Sequence, residues 1–319
     1  MNSKQRVEAF FKNAPTDRPP LGFWMHFPPE CTQNDACVAA HLDYYAKAPL
    51  DLVKIMSDGY MDYPNPTAKA IRTPQEWYQM RPLGRKSDFI VKQVERVMRL
   101  RDAMKQEHVL LYTMFAPFTY LRFGAGTPLM MEHLAQCPEA VDHAQRIVEE
   151  DCRELCEMLL QSGACDGLYF CLHSGETDRM APETYKAHVA PAELSVLRYA
   201  DSLPGYIMLH CCGWAGKKNR LSLWTDYPAD AVNWAVHVEE VSLSQGHAMF
   251  GGKPVCGGFD NTMNGILARG NREQVIAETK NILRSFGSDV GIMLGADCTL
   301  PRDFPVEKLQ WVAEGAQAV

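Results

Sequence analysis

Three residues of this chain are of the types that hold a transition metal: His210, Cys212 and Cys298. One imidazole and two thiolates make a ligand set suited to Zn²⁺, with a fourth position left open for chemistry. Alternate side chains of an extended segment point the same way, so His210 and Cys212 can face one ion while Cys211 faces elsewhere. Cys298 lies too far along the chain for a zinc finger. Only a fold that returns the end of the chain to its middle can complete the set. The competing reading is plain packing, because free cysteine is among the most buried residue types.

Other reactive side chains follow short apolar runs. His26 closes the first run and Asp58 and Tyr60 follow the second, in Ser57-Asp58-Gly59-Tyr60. Phe115 ends the third, His173 and Glu176 follow the fourth, and Asp260 follows the seventh. Glu176, Asp58 and His26 are the candidates for catalysis, and His173, Tyr60, Phe115 and Asp260 for substrate binding. Each has a structural alternative. Glu176 and His173 read as a fourth metal ligand, a general base or a solvated loop. Asp58 reads as a hydrogen-bond acceptor for substrate or as a turn cap beside Gly59. His26 reads as cavity floor or core, and Asp260 as substrate ligand or cap of the Asn261–Leu267 turn.

These positions require elements that deliver them to one place. Candidate strands are Leu21–Phe27, Leu52–Met56, Val109–Phe115, Gly167–Leu172, Tyr206–His210, Ala231–Val236, Pro254–Phe259 and Val290–Leu294. None alternates clearly, as expected of parallel strands covered on both faces. Helical spacing covers Val38–Ala48, Asp88–Gln106, Pro138–Ser162, Pro182–Ser202, Asn271–Phe286 and Pro305–Ala318, with Asn271 as an N-cap and Pro305 in a first turn. Eight strands alternating with helices predict an α/β fold, a (β/α)₈ TIM barrel in a single domain over residues 1–319. The barrel gathers the C-terminal strand ends around one mouth. The alternative, an open doubly wound sheet, lacks its G-x-G-x-x-G signature after the first strand.

The 319 residues are 46% hydrophobic and 22% charged, the balance of an ordinary globular chain. The net charge of −7 disfavours nucleic-acid binding, which needs a basic face. No apolar stretch reaches the roughly 20 residues of a membrane span, and the N-terminus has no apolar signal core. A cytoplasmic location is therefore expected, with no membrane partner. Eleven cysteines, an odd number scattered through predicted elements, argue for reduced thiols over a disulfide framework.

At these residues the chain resembles the uroporphyrinogen decarboxylase superfamily. The markers are Asp17-Arg18-Pro19-Pro20, Phe115-Ala116-Pro117-Phe118-Thr119, Gly163-Ala164-Cys165-Asp166-Gly167, His210-x-Cys212-Gly213 and Leu294-Gly295-Ala296-Asp297-Cys298, in that order along nearly the whole length. The resemblance implies a (β/α)₈ barrel and one of two chemistries. The first is metal-free decarboxylation of uroporphyrinogen, in which an arginine-rich segment after strand one holds substrate carboxylates. Asp58 resembles that branch's pyrrole-binding aspartate. The corresponding segment here, Met25-His26-Phe27-Pro28-Pro29-Glu30, has no arginine, and eight carboxylates need cationic partners.

The second chemistry is cobamide-dependent methyl transfer, whose hallmark is His-x-Cys with a distant cysteine on catalytic zinc. His210, Cys212 and Cys298 match it. The resemblance then implies Zn²⁺ as cofactor, a small methylated substrate or a thiol or folate acceptor, and a cobamide carried by a separate corrinoid protein, since the chain has no D-x-H-x-x-G motif of its own. Family members are often homodimers, which makes a homodimer the expectation here.

Overall fold

The computed structural model describes residues 1–317. Its strands are β1 (Leu21–Gly22), β2 (Leu52–Ile55), β3 (Val109–Phe115), β4 (Gly167–Leu172), β5 (Tyr206–Cys211), β6 (Ala231–Trp234), β7 (Val255–Phe259) and β8 (Ile292–Ala296). They form one sheet in the order β1-β8-β7-β6-β5-β4-β3-β2, every ladder parallel. The first strand pairs with the last, Leu21 with Leu294 and Gly22 with Gly295. Among the described residues β1 and β2 share no ladder, but the Asp51 N–H donates across the seam to the Leu21 carbonyl at 2.9 Å. The result is the expected single-domain (β/α)₈ barrel, nearly closed, and not an open doubly wound sheet.

All residues of β2, β3 and β4 are buried. Helices cover their outer face and side chains fill the barrel, which is why these runs lack alternation. The helices form where apolar spacing and caps agree. Asp88–Met104 starts at Ser87, whose side chain accepts the Ile90 N–H, and ends as Lys105 turns left-handed. Pro138–Leu160 buries Val141, Ala144, Val148, Leu155 and Leu159 along one stripe. Arg272–Phe286 begins at Asn271 in a capping box with Gln274 and ends at Gly287, φ +78°.

Most bounds shift by a few residues, among them β6, β8 and the helix Asn34–Lys47, the helices Pro117–Ala125 and Thr127–Gln136 are additional, and three regions differ in kind. β1 ends at Gly22, not Phe27. Beyond it the chain stays extended beside the end of β8, the Trp24 carbonyl accepting the Leu300 N–H at 2.8 Å. The stretch Pro182–Ser202 is two helices, Pro182–His188 and Ala190–Asp201. Pro191 has no N–H to continue the ladder of the first helix, so that helix ends at His188 with Val189 as its cap, and Pro191 sits in the first turn of the second. At the C-terminus a 3₁₀ turn, Val306–Lys308, precedes the helix Leu309–Gln317, with Pro305 just outside it. Ala318, the expected last helical residue, lies outside the described residues.

The barrel floor is closed by charge. Asp51, just before β2, accepts from Arg6 Nη1 (2.6 Å), Arg18 Nη1 (2.7 Å) and the Leu21 N–H (2.9 Å). Asp166, just before β4, pairs with Arg101 and accepts the Leu110 N–H at 2.8 Å. Asp230, just before β6, accepts the Ile207 N–H at 2.7 Å. Each carboxylate thus satisfies a backbone donor at the start of the preceding strand. No helix among the described residues is long and apolar enough to cross a membrane.

Candidate active site

His210 is on β5, Cys212 immediately follows that strand, and Cys298 lies two residues past β8. Barrel closure brings the three together. Their potential ligand atoms all lie within 4.8 Å of one another, with Cys212 Sγ to Cys298 Sγ at 3.9 Å and Cys298 Sγ to His210 Nε2 at 3.4 Å. With Zn–S bonds of about 2.3 Å, two thiolates of a tetrahedral site stand roughly 3.8 Å apart. The spacing therefore fits zinc.

The surroundings hold these ligands in place. Asn233 Nδ2 donates to the Cys256 and Ala296 carbonyls, at 2.9 and 3.2 Å, which leaves its Oδ1 as the acceptor. That oxygen receives the Tyr169 hydroxyl at 2.7 Å and lies 2.6 Å from His210 Nδ1. Nδ1 therefore carries the proton and Nε2 turns its lone pair toward the thiols. The Cys212 N–H donates to the Leu172 carbonyl at 3.0 Å, and the Cys212 carbonyl accepts from Asn219 Nδ2 at 2.9 Å. Beside Cys298, the buried Asp297 carboxylate accepts the His237 N–H at 2.9 Å and pairs with its Nδ1 at 3.0 Å. Hydrogen bonding from Cys212, helped by His210 and opposed by burial, holds the Cys298 thiol well below its ordinary pKa. Cys211, one residue from each β5 ligand, is buried outside the cavity, and burial pushes its thiol well up. It behaves as a packing residue, as the strand alternation predicts.

His210, Cys212 and Cys298 border a cavity of about 630 Å³, counting its open mouth. Four of the sequence-derived candidates line it: His26, Asp58, Phe115 and His173. Asp58 Oδ1 lies 2.7 Å from His26 Nδ1, and its Oδ2 accepts the Phe27 N–H at 3.1 Å. Burial opposes ionisation of Asp58, but these hydrogen bonds outweigh it and hold the carboxyl below its usual range. His26 itself is half-exposed at the mouth. His173 is buried, and burial pushes its pKa down to about 3, so it is a neutral wall group. It packs on the rings of Phe115 and Phe123, centroids 5.4 and 5.7 Å away.

The other three candidates are outside the cavity lining. Glu176 is buried in ion pairs with Arg122 and Arg179, both at 3.0 Å. Arg122 also donates to the His173 carbonyl, so this pair clamps the loop that carries His173. Tyr60 packs its ring under the Arg96 guanidinium, 4.8 Å from the centroid. Asp260 caps its own turn, accepting the Thr262 N–H at 2.8 Å and its hydroxyl at 3.0 Å.

The structure adds groups that the strand-end search passes over. Lys54 and Thr113 line the cavity from inside β2 and β3, and Asn233 orients His210 from inside β6. The signal was present. A lysine in Leu52-Val53-Lys54-Ile55 and an asparagine in Ala231-Val232-Asn233-Trp234 are polar residues in apolar runs, where burial without a purpose is costly.

Residues 2–319 match the family described as uroporphyrinogen decarboxylase (URO-D). Among solved structures, the chain is similar to a methyltransferase from Methanosarcina mazei, with TM-score 0.77, 16% identity, and coverage of 100% of this chain and 99% of that one. It is also similar to a Listeria monocytogenes protein described as a vitamin-B12 independent methionine synthase, with TM-score 0.54 and 11% identity over 96% and 98% of the two chains. At these identities the likeness is one of fold. No curated protein matches the chain in sequence.

Proposed function

The chain belongs to the uroporphyrinogen decarboxylase family, and within that family we propose that it is a zinc-dependent methyltransferase. It moves a methyl group between a small methylated substrate, or a thiol, and a corrinoid carried by a separate protein. The observation that carries this reading is the His210–Cys212–Cys298 cluster, at zinc-ligand spacing on the wall of an open cavity. Zinc held there supplies Lewis acidity, which favours the thiolate form of a bound thiol or polarises the group that gives up its methyl.

The chain's own residues do the rest. Asn233 fixes the His210 tautomer. Asp58 holds His26 at the mouth, placing an imidazole between cavity and solvent where it can carry a proton to or from the demethylated atom. His173, Phe115 and Phe123 form an uncharged wall that keeps water from the reacting group. Glu176 is assigned a positioning role through Arg122. The likeness in fold to the Methanosarcina mazei methyltransferase supports a methyl-transfer activity. Among the described residues the cavity lining contains no arginine, which speaks against a tetrapyrrole bearing eight carboxylates.

The test mixes zinc-replete protein with a methylated corrinoid protein and a thiol, or with the unmethylated Co(I) form and methylated compounds, while the cobalt spectrum is followed. Demethylation or methylation of cobalt that requires zinc is the expected result. A metal-free protein that is inert toward corrinoid would favour the lyase chemistry of the family instead.

A further inference from the structure

Among the described residues, one cation lining this cavity, Lys54, makes no ion pair. Lys54 sits in β2 and is 3% exposed. Its Nζ lies 3.3 Å from Met56 Sδ, and 4.5 and 5.1 Å from the ring centroids of Tyr169 and Trp24. A thioether and two π-faces partly satisfy an ammonium, but none of them carries negative charge. The nearby carboxylate, Asp58, is engaged with His26 and the Phe27 N–H. Burial pushes the Lys54 pKa down, against the attraction of Cys171, Cys298, Asp58 and Cys212. Thr113 is a second group left open: its hydroxyl is buried, has no hydrogen-bond partner, and belongs to a residue lining the same cavity. Thr113 is two residues beyond Leu111, the register partner of Lys54, so both project from the same face of the sheet.

We propose that Lys54 and Thr113 receive a compact monoanionic group of the substrate, a carboxylate, at the end remote from the atom that carries the methyl. This deepens the methyl-transfer reading and rests on it for where the methyl moves. The dimensions agree. One face of Tyr169 carries the ammonium at 4.5 Å, and its ring stacks on His210 with centroids 5.1 Å apart. Lys54 and His210 thus both pack against the Tyr169 ring and line one cavity, within the reach of a small molecule. One cation and one hydroxyl match a monoanion; a phosphate dianion would leave oxygens unpaired. The apolar walls at Met56, Met61, Phe115 and Phe123 exclude water, which strengthens the charge pairing.

Calorimetric titration of the zinc-loaded full chain with matched acid and amide probes tests this without any corrinoid. The pairs are benzoate against benzamide, and 3-mercaptopropionate against 3-mercaptopropanamide. Each acid is expected to bind at least about tenfold tighter than its amide, as for a hydrogen bond to a charged group. Lys54→Met should bring that ratio to about one, and Thr113→Val should weaken acid binding alone by a few-fold. The wild-type ratio needs no variant and stands even if Lys54→Met does not fold. A wild-type ratio near one, an unchanged ratio in a folded Lys54→Met protein, or no saturable binding of either acid overturns the proposal. The benzoate pair can also be titrated against metal-free protein. Discrimination there without methyl transfer would sink the methyl-transfer reading and keep the anion site, whereas methyl transfer with charge-blind binding would do the reverse.

Discussion

The two ends of the barrel treat their polar side chains in opposite ways. At the floor, Asp51, Asp166 and Asp230 precede alternate strands, and each accepts a backbone N–H from the strand before it, with Arg6, Arg18 and Arg101 completing the pairs around the first two. Within the barrel toward the mouth, among the described residues, Lys54 makes no ion pair, the Thr113 hydroxyl has no hydrogen-bond partner, and two thiols and an imidazole converge on one point. Satisfied polar groups fix the fold, and groups left open toward a cavity are the ones available for chemistry.

The sharpest way to break this contrast is Cys298→Ala. The variant should lose zinc and at least about a thousandfold in methyl transfer, while unfolding close to the wild-type temperature. Cys211→Ala removes a thiol of the same size one residue from two of the ligands. It should keep zinc and activity and cost only about 1 kcal/mol of packing. If Cys211→Ala loses zinc and Cys298→Ala keeps it, the register at the end of β5 is wrong.

At the floor the signs reverse. Asp51→Asn leaves Arg6 and Arg18 without their shared carboxylate and should destabilise by about 3–5 kcal/mol in urea unfolding, with the zinc content of the folded fraction unchanged. A loss of zinc with stability intact would contradict the division between the two ends.

Glu193 lies at neither end and calibrates the outer layer. Burial pushes its carboxyl up to about 7, against hydrogen bonds from Tyr185 (2.6 Å) and Tyr227 (2.8 Å). The unfolded chain ionises this group near 4.5, so the folded state binds the extra proton between the two values. The stability this contributes is complete below the unfolded value and is lost as pH rises toward 7, by about 2–3 kcal/mol. Denaturation at pH 5 and pH 8 should show that loss, and Glu193→Gln should flatten it. A Glu193→Gln protein with an unaltered slope would assign the pH dependence to another group.

A smaller effect is expected behind the metal ligands. Asn233→Ala removes the acceptor that sets the His210 tautomer and should weaken zinc binding by about 10–100-fold, measured by chelator competition. Unchanged affinity would mean that Tyr169 and packing hold the imidazole unaided.

Much of this organisation was legible in the residues. β3 and β4 begin and end where their apolar runs do, because strands buried on both faces are written as uninterrupted apolar stretches. The convergence of His210, Cys212 and Cys298 was legible because these residue types are few and occupy strand ends. β1 was read too long because an extended path and a laddered strand look alike until the partner is known, and beyond Gly22 the backbone pairs with Leu300 in an isolated bridge. Glu176 reads locally as an acid after β4. Its partner Arg122 sits in the helix Pro117–Ala125, and no spacing in the chain connects the two. Asp260 satisfies its own turn, the alternative already open to it beside Asn261 and Thr262. Lys54 and Asn233 lie inside strands and not at their ends, and a charged or amide side chain inside an apolar run marks a group that faces a cavity or a network.

The central claim is that His210, Cys212 and Cys298 form a catalytic zinc site with an open position. Zinc-edge X-ray absorption on protein expressed with ample zinc tests it most directly, combined with metal content per chain. The expected result is about one zinc per chain, two sulfurs at about 2.3 Å, one imidazole nitrogen at about 2.0 Å and one light exchangeable ligand. Metal-free protein, or zinc in a shell without sulfur, would contradict it.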